Sequence, residues 1–385
     1  MKCTISITAA LLAVVALAAS SSSDQTPLES SAAETRKAIN DMLANHRKKS
    51  HSRKLAARDD NLVSGSYGVF DADQTIWKND LTEAAIPYLE NKGVISRDKL
   101  DDSLKLIAFK DNANYTETLY SYYRRLCTID NNVCYAWAAQ VFSGLILRDL
   151  KVYVDEIFDL KEDIPTSYWK GEIIVPKRVE PPKIYPFMTV TLKDLRRDHI
   201  ETYIVTASNE ELVRMVVSDP KYGYDIKPEN VIGVSVLMKN SETGELTTSR
   251  KQIAAGYYNQ TANLDLQLTS YLWSPTTWYA GKLAAMKTYI DAWGKPMIAA
   301  GDTPGSDTYM LFDVDVAQGG LRLWVKKSES EYIELQRLIA KGISRQLRNS
   351  VPVTADSGWR LLRPEILMTG QEEERNLFRA SISNN

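Results

Sequence analysis

Histidine is scarce in this chain: 385 residues contain three. Two of them, His46 and His51, sit in a polar N-terminal stretch, which leaves His199 alone for the folded part. That shortage argues against a His-rich zinc site and against a Ser-His-Asp triad. An excess of either charge is missing as well. The formal net charge is −2, a balance that argues against nucleic acid as the main partner. After residue 19 no run is long and apolar enough to span a bilayer. There is no internal repeat and no Walker-type phosphate loop. With imidazole scarce, the chemistry falls to carboxylates.

The N-terminus carries Lys2, an apolar stretch from Ile5 to Ala19 and the small-residue site Ala16-Leu17-Ala18. This is the pattern of a secretory signal peptide over 1–18, so the chain is expected to be secreted, periplasmic or lumenal. Cys3 would leave with that peptide, and Cys127 and Cys134 would then face an oxidising compartment as a local disulfide. Asn114 and Asn259 open glycosylation sequons. Residues 19–65 are rich in Ser, Ala and charge and read as a linker or pro-segment, with a basic run at 46–58.

The chain is organised around Tyr67 to Ile76. A short apolar run, Tyr67 to Phe70, suits a buried strand and ends abruptly in Asp71, Ala72 and Asp73. Acids directly after a buried strand lie where open α/β sheets place ligands. From 81 to 194 the pattern is mainly helical and aromatic-rich, too long for a crossover, and reads as a helical cap inserted after the first strand. Strand-like runs then recur at Tyr203–Val205, Val231–Val236, Met297–Ala300 and Leu321–Val325, with helices between several of them. The expected fold is α/β, a Rossmann-like, mostly parallel sheet built from 66–80 and 195–330. Asn240 to Gly244 reads as a turn in a β excursion, and 331–385 as a C-terminal extension that opens with a charged helix.

Three later pieces fit the opening acids. Thr206-Ala207-Ser208 brings a hydroxyl to a strand end just before a helix, a ready anion site. Gly281-Lys282 opens the helix before the fourth strand. Gly301-Asp302-Thr303-Pro304-Gly305-Ser306-Asp307 puts two more acids at a strand end. Strand-end acids with one lysine make a hard, oxygen-lined site suited to Mg²⁺. Phe312-Asp313-Val314-Asp315 repeats the Asp-x-Asp spelling but lacks a Thr two residues on, and reads as a solvated loop.

Asp71-x-Asp73-x-Thr75, Thr206, Lys282 and Gly301-Asp302 through Asp307 resemble, in order, the four motifs of the haloacid dehalogenase-like superfamily of phosphatases, over roughly residues 65–325. More narrowly, Gly-Asp-Thr-Pro-x-Ser-Asp and its spacing from Lys282 are similar to the secreted phosphorylcholine phosphatases, with Thr206-Ala207-Ser208 where those carry a Ser-Ala-Ala-like motif. The resemblance implies an Mg²⁺-dependent phosphomonoesterase. Asp71 would be the nucleophile and a metal ligand. Asp73 would be general acid and base, its backbone carbonyl facing the metal. Asp302 would complete the metal ligands, with Asp307 in support. Thr206, Ala207 and Lys282 would hold the phosphoryl group. Lys287 competes with Lys282 for that role.

For a cationic alcohol such as choline, Trp77 and Glu83 just beyond the nucleophile are the candidate aromatic face and carboxylate. Trp77 reads equally as hinge or core packing, and Glu83 as an exposed helix acid. The remaining cap aromatics read mostly as core. Rival readings are a phosphatase for another small ester, such as phosphoethanolamine or a phosphoserine-like compound, and a binding protein that keeps the fold without turnover.

Overall fold

The computed structural model describes residues 29–56 and 66–368, residues 50–56 by their backbone alone. The expected signal peptide and the ends of the linker and C-terminal extension lie outside the described residues.

Six parallel strands form the central sheet: Tyr67–Phe70 (β1), Glu201–Asn209 (β2), Val231–Val234 (β3), Ile298–Gly301 (β4), Leu321–Val325 (β5) and Trp359–Leu362 (β6). Their order is β6-β5-β4-β1-β2-β3. β1 is buried throughout, as its unbroken apolar run requires of a strand covered on both faces. Successive side chains leave a strand on opposite faces. Val69, Ala299, Trp324 and Leu361 enter one core, beneath the helices Ala280–Tyr289, Pro304–Phe312 and Glu329–Arg348. Phe70, Ile298, Ala300, Leu323 and Leu362 enter the other core. The chain steps from β1 outward to β3, then crosses back to β4 on the other side of β1. This reversal is a topological switch point, and it opens a crevice at the carboxyl ends of β1 and β4. The fold is the Rossmann-like α/β architecture expected.

An insertion interrupts the sheet after β1. It contains the helices Leu81–Asn91, Leu119–Ile129, Asn131–Gln140 and Leu147–Asp159 and the antiparallel hairpin Ile164–Lys170/Ile173–Val179. Its neck is a two-stranded ribbon in which Trp77 pairs with Ile184 and Lys78 with Lys183. The chain therefore re-enters the core before the boundary drawn at 194, and the helix Pro186–Arg197 packs on β2. Cys127 and Cys134 are disulfide-bonded, joining two neighbouring cap helices. Backbone hydrogen bonds from Gly144 to Leu268 and from Leu268 to Leu145, of 2.8 and 2.9 Å, tie the insertion to a second, antiparallel sheet. That sheet contains Val236–Asn240, Leu246–Thr247 and Leu266–Leu272. Val231–Val236, expected as one strand, is split between the two sheets at Ser235.

Two stretches do more than expected. Residues 32–56, read as linker, form a helix whose Ile39, Met42 and Leu43 are buried in the core. Residues 359–362, within the C-terminal extension, supply the outermost strand of the central sheet.

Candidate active site

Leaving β1, the Asp71 amide still donates to Ala300 O at 3.0 Å, which keeps Asp71 at the strand end beside β4. The chain then turns sharply through Gln74 and Asn79, both at positive φ (60° and 67°). That turn folds Trp77 back beneath Asp73. The indole Nε1 donates to Asp73 Oδ1 at 2.8 Å, and the Leu81 amide, at the open end of a helix, donates to the same oxygen at 2.7 Å. Ser208 Oγ donates to Asp73 Oδ2.

Lys282 is wholly buried. Its ammonium lies 2.7 Å from Asp71 Oδ1 and 2.6 Å from Asp307 Oδ1. Gly281 brings this helix start so close that a Cβ would stand 1.9 Å from Thr276 O. Gly301 serves the same end at β4, because a Cβ there would stand 2.5 Å from that of Asp307. Asp307 Oδ2 in turn accepts the amides of Asp302 and Thr303, at 2.9 and 2.8 Å. Asp302 receives Thr75 Oγ1 at 3.2 Å on Oδ1 and Lys327 on Oδ2.

These groups surround a cavity of about 190 Å³ between the sheet end and the insertion. Asp71, Asp73, Thr206, Ala207, Asp302 and Glu83 line it; Lys282 and Asp307 stand directly behind Asp71. Thr206 Oγ1 accepts the Ser208 amide at 3.1 Å, which leaves its own proton to donate. Trp77 is the exception among the residues singled out from sequence. It is fully buried, with Phe158 edge-on to its ring at 5.6 Å and Tyr224 at 6.1 Å, and it does not line the cavity. Its indole serves Asp73, and the aromatic side chains that do line the cavity are Tyr123 and Tyr135 of the insertion.

Asp80 and Lys327 also line the cavity and had not been singled out; Ser208, named from sequence only as the end of the Thr206 motif, lines it too. Asp80 had a signal: its carboxylate caps the helix Leu81–Asn91, accepting the Glu83 amide at 2.7 Å, as Asp followed by Glu three residues on suggests. Lys327 follows the end of β5, a strand-end position like those of the acids. Nothing in the sequence separates Tyr123 and Tyr135 from the core tyrosines around them.

Burial pushes the Asp71 carboxyl well above its ordinary range; Lys282 opposes the rise, while Asp307 and Asp302 add to it. Burial raises Asp73 against the pull of Leu81, Ser208 and Trp77, and raises Asp302 against Lys327. For Lys282, burial acts downward, but Asp307 and Asp71 outweigh it and keep the ammonium protonated. Asp71, Asp302 and Asp307 each offer an oxygen within 4.8 Å of the others. When all are ionised, four carboxylates (Asp71, Asp73, Asp302, Asp307) exceed two ammonium groups (Lys282, Lys327) by two negative charges, which a hard divalent cation would balance. The donor set fits such an ion.

No family model matches the chain. It is 52% identical over 305 residues, 79% of this chain and 87% of the relative, to a protein of Pseudomonas aeruginosa described as a phosphorylcholine phosphatase. Among solved structures, a conserved protein of unknown function from Anaerococcus prevotii superposes with a TM-score of 0.50 at 18% identity, over 79% of this chain and 89% of that one. A protein of unknown function from Bordetella pertussis gives a TM-score of 0.45 at 10% identity, over 78% of this chain and 99% of that one.

Proposed function

Because the chain belongs to the phosphorylcholine phosphatase family, we propose that it hydrolyses a small phosphate monoester through a phosphorylated Asp71, with phosphorylcholine as the favoured substrate. The reading joins that family to the haloacid dehalogenase-like pattern of the four motifs. The observation that carries it is the pairing of Asp71 and Asp73. Asp71 has an oxygen held by an obligate cation, which opposes the rise that burial imposes on its carboxyl; Asp73 is held by neutral donors, and burial raises it as well.

In the first half-reaction an Asp71 oxygen attacks phosphorus, and the ester oxygen leaves with a proton from Asp73. In the second, Asp73 takes a proton from water, the water oxygen attacks phosphorus, and the acyl-phosphate P–O bond breaks to release phosphate and free Asp71. Thr206 Oγ donates to a phosphoryl oxygen, assisted by the Ala207 amide. Lys282 orients Asp71 and favours its ionised form against the burial that raises it. Asp71 and Asp302, with Asp307 behind them, would hold Mg²⁺, which when bound supplies positive charge for the phosphoryl oxygens.

At the cap side of the cavity, Tyr123 and Tyr135 with the acids Asp80 and Glu83 suit a quaternary ammonium. Glu83 is partnered by Arg124 at 3.3 Å; Asp80 caps the helix through the Glu83 amide, and burial, Asp73 and Glu83 push its carboxyl well above the ordinary range, a rise that a bound cation would oppose. The N-terminal pattern supports secretion.

The test is phosphate release from a panel of phosphomonoesters, with Mg²⁺ or with EDTA, comparing wild type with Asp71→Asn. Phosphorylcholine is expected to lead, EDTA to stop release, and Asp71→Asn to be inactive. If wild type with metal released no phosphate from any ester, the proposal would fail.

A further inference from the structure

A groove on the far side of the helix Pro304–Phe312 has no part in the reaction above. It lies between that helix and the helices Ala280–Tyr289 and Glu329–Arg348, has a volume of about 650 Å³, and shares no lining residue with the catalytic cavity. Leu283, Tyr309, Phe312 and Leu338 give it apolar and aromatic walls.

Arg322 also borders the groove and is 1% exposed. Its Nε donates to Leu311 O at 2.8 Å, and Nη1 donates to Thr354 O and Ser357 O at 2.8 Å and to Ala355 O at 3.3 Å. Nη2 has a single approach, to Phe312 O at 3.5 Å, beyond the usual N–H···O range. Among the described residues no carboxylate forms an ion pair with this guanidinium; the exposed Asp356 acts on it only through its field. The Phe312 and Trp359 rings, with centroids 5.5 and 5.3 Å from its Cζ, and the carbonyls offset part of the cost of burying this charge; it still lacks a carboxylate partner, and burial pulls the guanidinium down to about 10.

The mouth is positive too. Lys341 and Arg345 are exposed there and form no ion pair among the described residues. The two acids of the lining are already matched, Asp313 by Lys287 at 2.6 Å and Glu334 by Arg337 at 3.2 Å. Apolar walls thus meet positive charge without a carboxylate partner at the buried end and at the rim.

We propose that this groove binds an amphipathic carboxylate, a fatty-acid-like anion whose apolar chain lies along Leu283, Phe312 and Leu338 and whose head group is taken by Arg322. Lys341 and Arg345 favour its entry.

The test is calorimetric titration of the full chain with decanoate and, separately, with decan-1-ol, which has the same chain and no charge. Arg322→Met removes five carbonyl contacts and endangers folding, so two exposed-face variants serve instead. Leu338→Trp fills the groove, and the double variant Lys341→Glu, Arg345→Glu reverses the rim. Thermal melts and phosphate release, expected to match wild type, show that both are folded. Decanoate is expected to bind one per chain, at least tenfold more tightly than decanol. Leu338→Trp should abolish binding and the double variant weaken it at least tenfold. No saturable decanoate binding, equal affinity for the alcohol, or binding undiminished in either variant would overturn the proposal. Because the readout is binding rather than turnover, the outcome is independent of the phosphatase reading.

Discussion

Asp73 shows how much one residue's role depends on what lies beneath it. Its oxygens accept from Trp77, Leu81 and Ser208, and its pKa is raised by burial. Asparagine would keep the two contacts to Oδ1 and remove a buried charge. Asp73→Asn is therefore expected to lose roughly 10²–10⁴-fold in kcat while melting no lower than wild type; a large fall in Tm with turnover retained would show a structural acid instead. Trp77 is the sharper case. Its place a few residues after the nucleophile was plain in the sequence, but two positive-φ residues decide which way the indole faces, and neither is a glycine to advertise the turn. Trp77→Phe keeps the ring against Phe158 and Tyr224 and deletes one hydrogen bond to the proposed acid. A bond of that kind contributes about 1 kcal/mol, so kcat should fall about five-fold at unchanged KM. A raised KM for phosphorylcholine with kcat intact would return Trp77 to the substrate.

Among the elements, the cap helices Leu119–Ile129 and Asn131–Gln140 carry Tyr123 and Tyr135 to the cavity and are joined by the Cys127–Cys134 disulfide. With a sequence separation of 7, chain-entropy arguments put its worth at about 2.5 kcal/mol. Replacing both cysteines by serine should lower the melting temperature and loosen the two tyrosines. KM for phosphorylcholine should then rise several-fold, while hydrolysis of an uncharged aryl phosphate, which has no use for a cation site, changes little. Equal losses for both esters would mean that the disulfide supports the core site instead. The pairing was readable because two cysteines flank a turn-rich segment and none remains besides Cys3. The helix Ala32–Ala56 was not readable as core. Its polar and charged residues far outnumber the large apolar side chains it buries among the described residues, Ile39, Met42 and Leu43, so its average character is that of a solvated arm. The strand Trp359–Leu362 was hidden by shortness, being four residues beyond a stretch punctuated by proline and glycine.

In the whole molecule, the sheet order places β1 and β4 side by side at the switch point, so acids far apart in sequence meet. Each strand that carries a motif announces itself by an apolar run ending in Asp or Thr, which is why the site could be drawn before the fold. Lys327 escaped because a lysine at a strand end is ordinarily solvated, and only the packing shows it turned inward onto Asp302. This concentration of buried charge has a consequence for stability. Asp71, Asp73 and Asp302 all have folded-state pKa values raised by burial. Above the ordinary carboxylate range the folded chain therefore holds more protons than the unfolded one, and stability must fall as pH rises toward the raised values. Lys282 and Lys327 are raised from 10.5, so their contribution stays fully present through the neutral range. Surface acids whose pKa is lowered, such as Asp111 and Glu156, lose their contribution only in more acidic solution. In EDTA the melting temperature should thus decline as pH rises above the ordinary carboxylate range, and the slope should be shallower in Asp73→Asn. On the proposed reading Mg²⁺ would compete with protons for the same oxygens, so its stabilisation should grow with pH and flatten or reverse the decline. Thermal melts from that range upward, with EDTA and with excess Mg²⁺, decide the matter. A flat or rising profile in EDTA would mean that the buried acids are ionised at no cost, and that two lysines alone suffice to balance them.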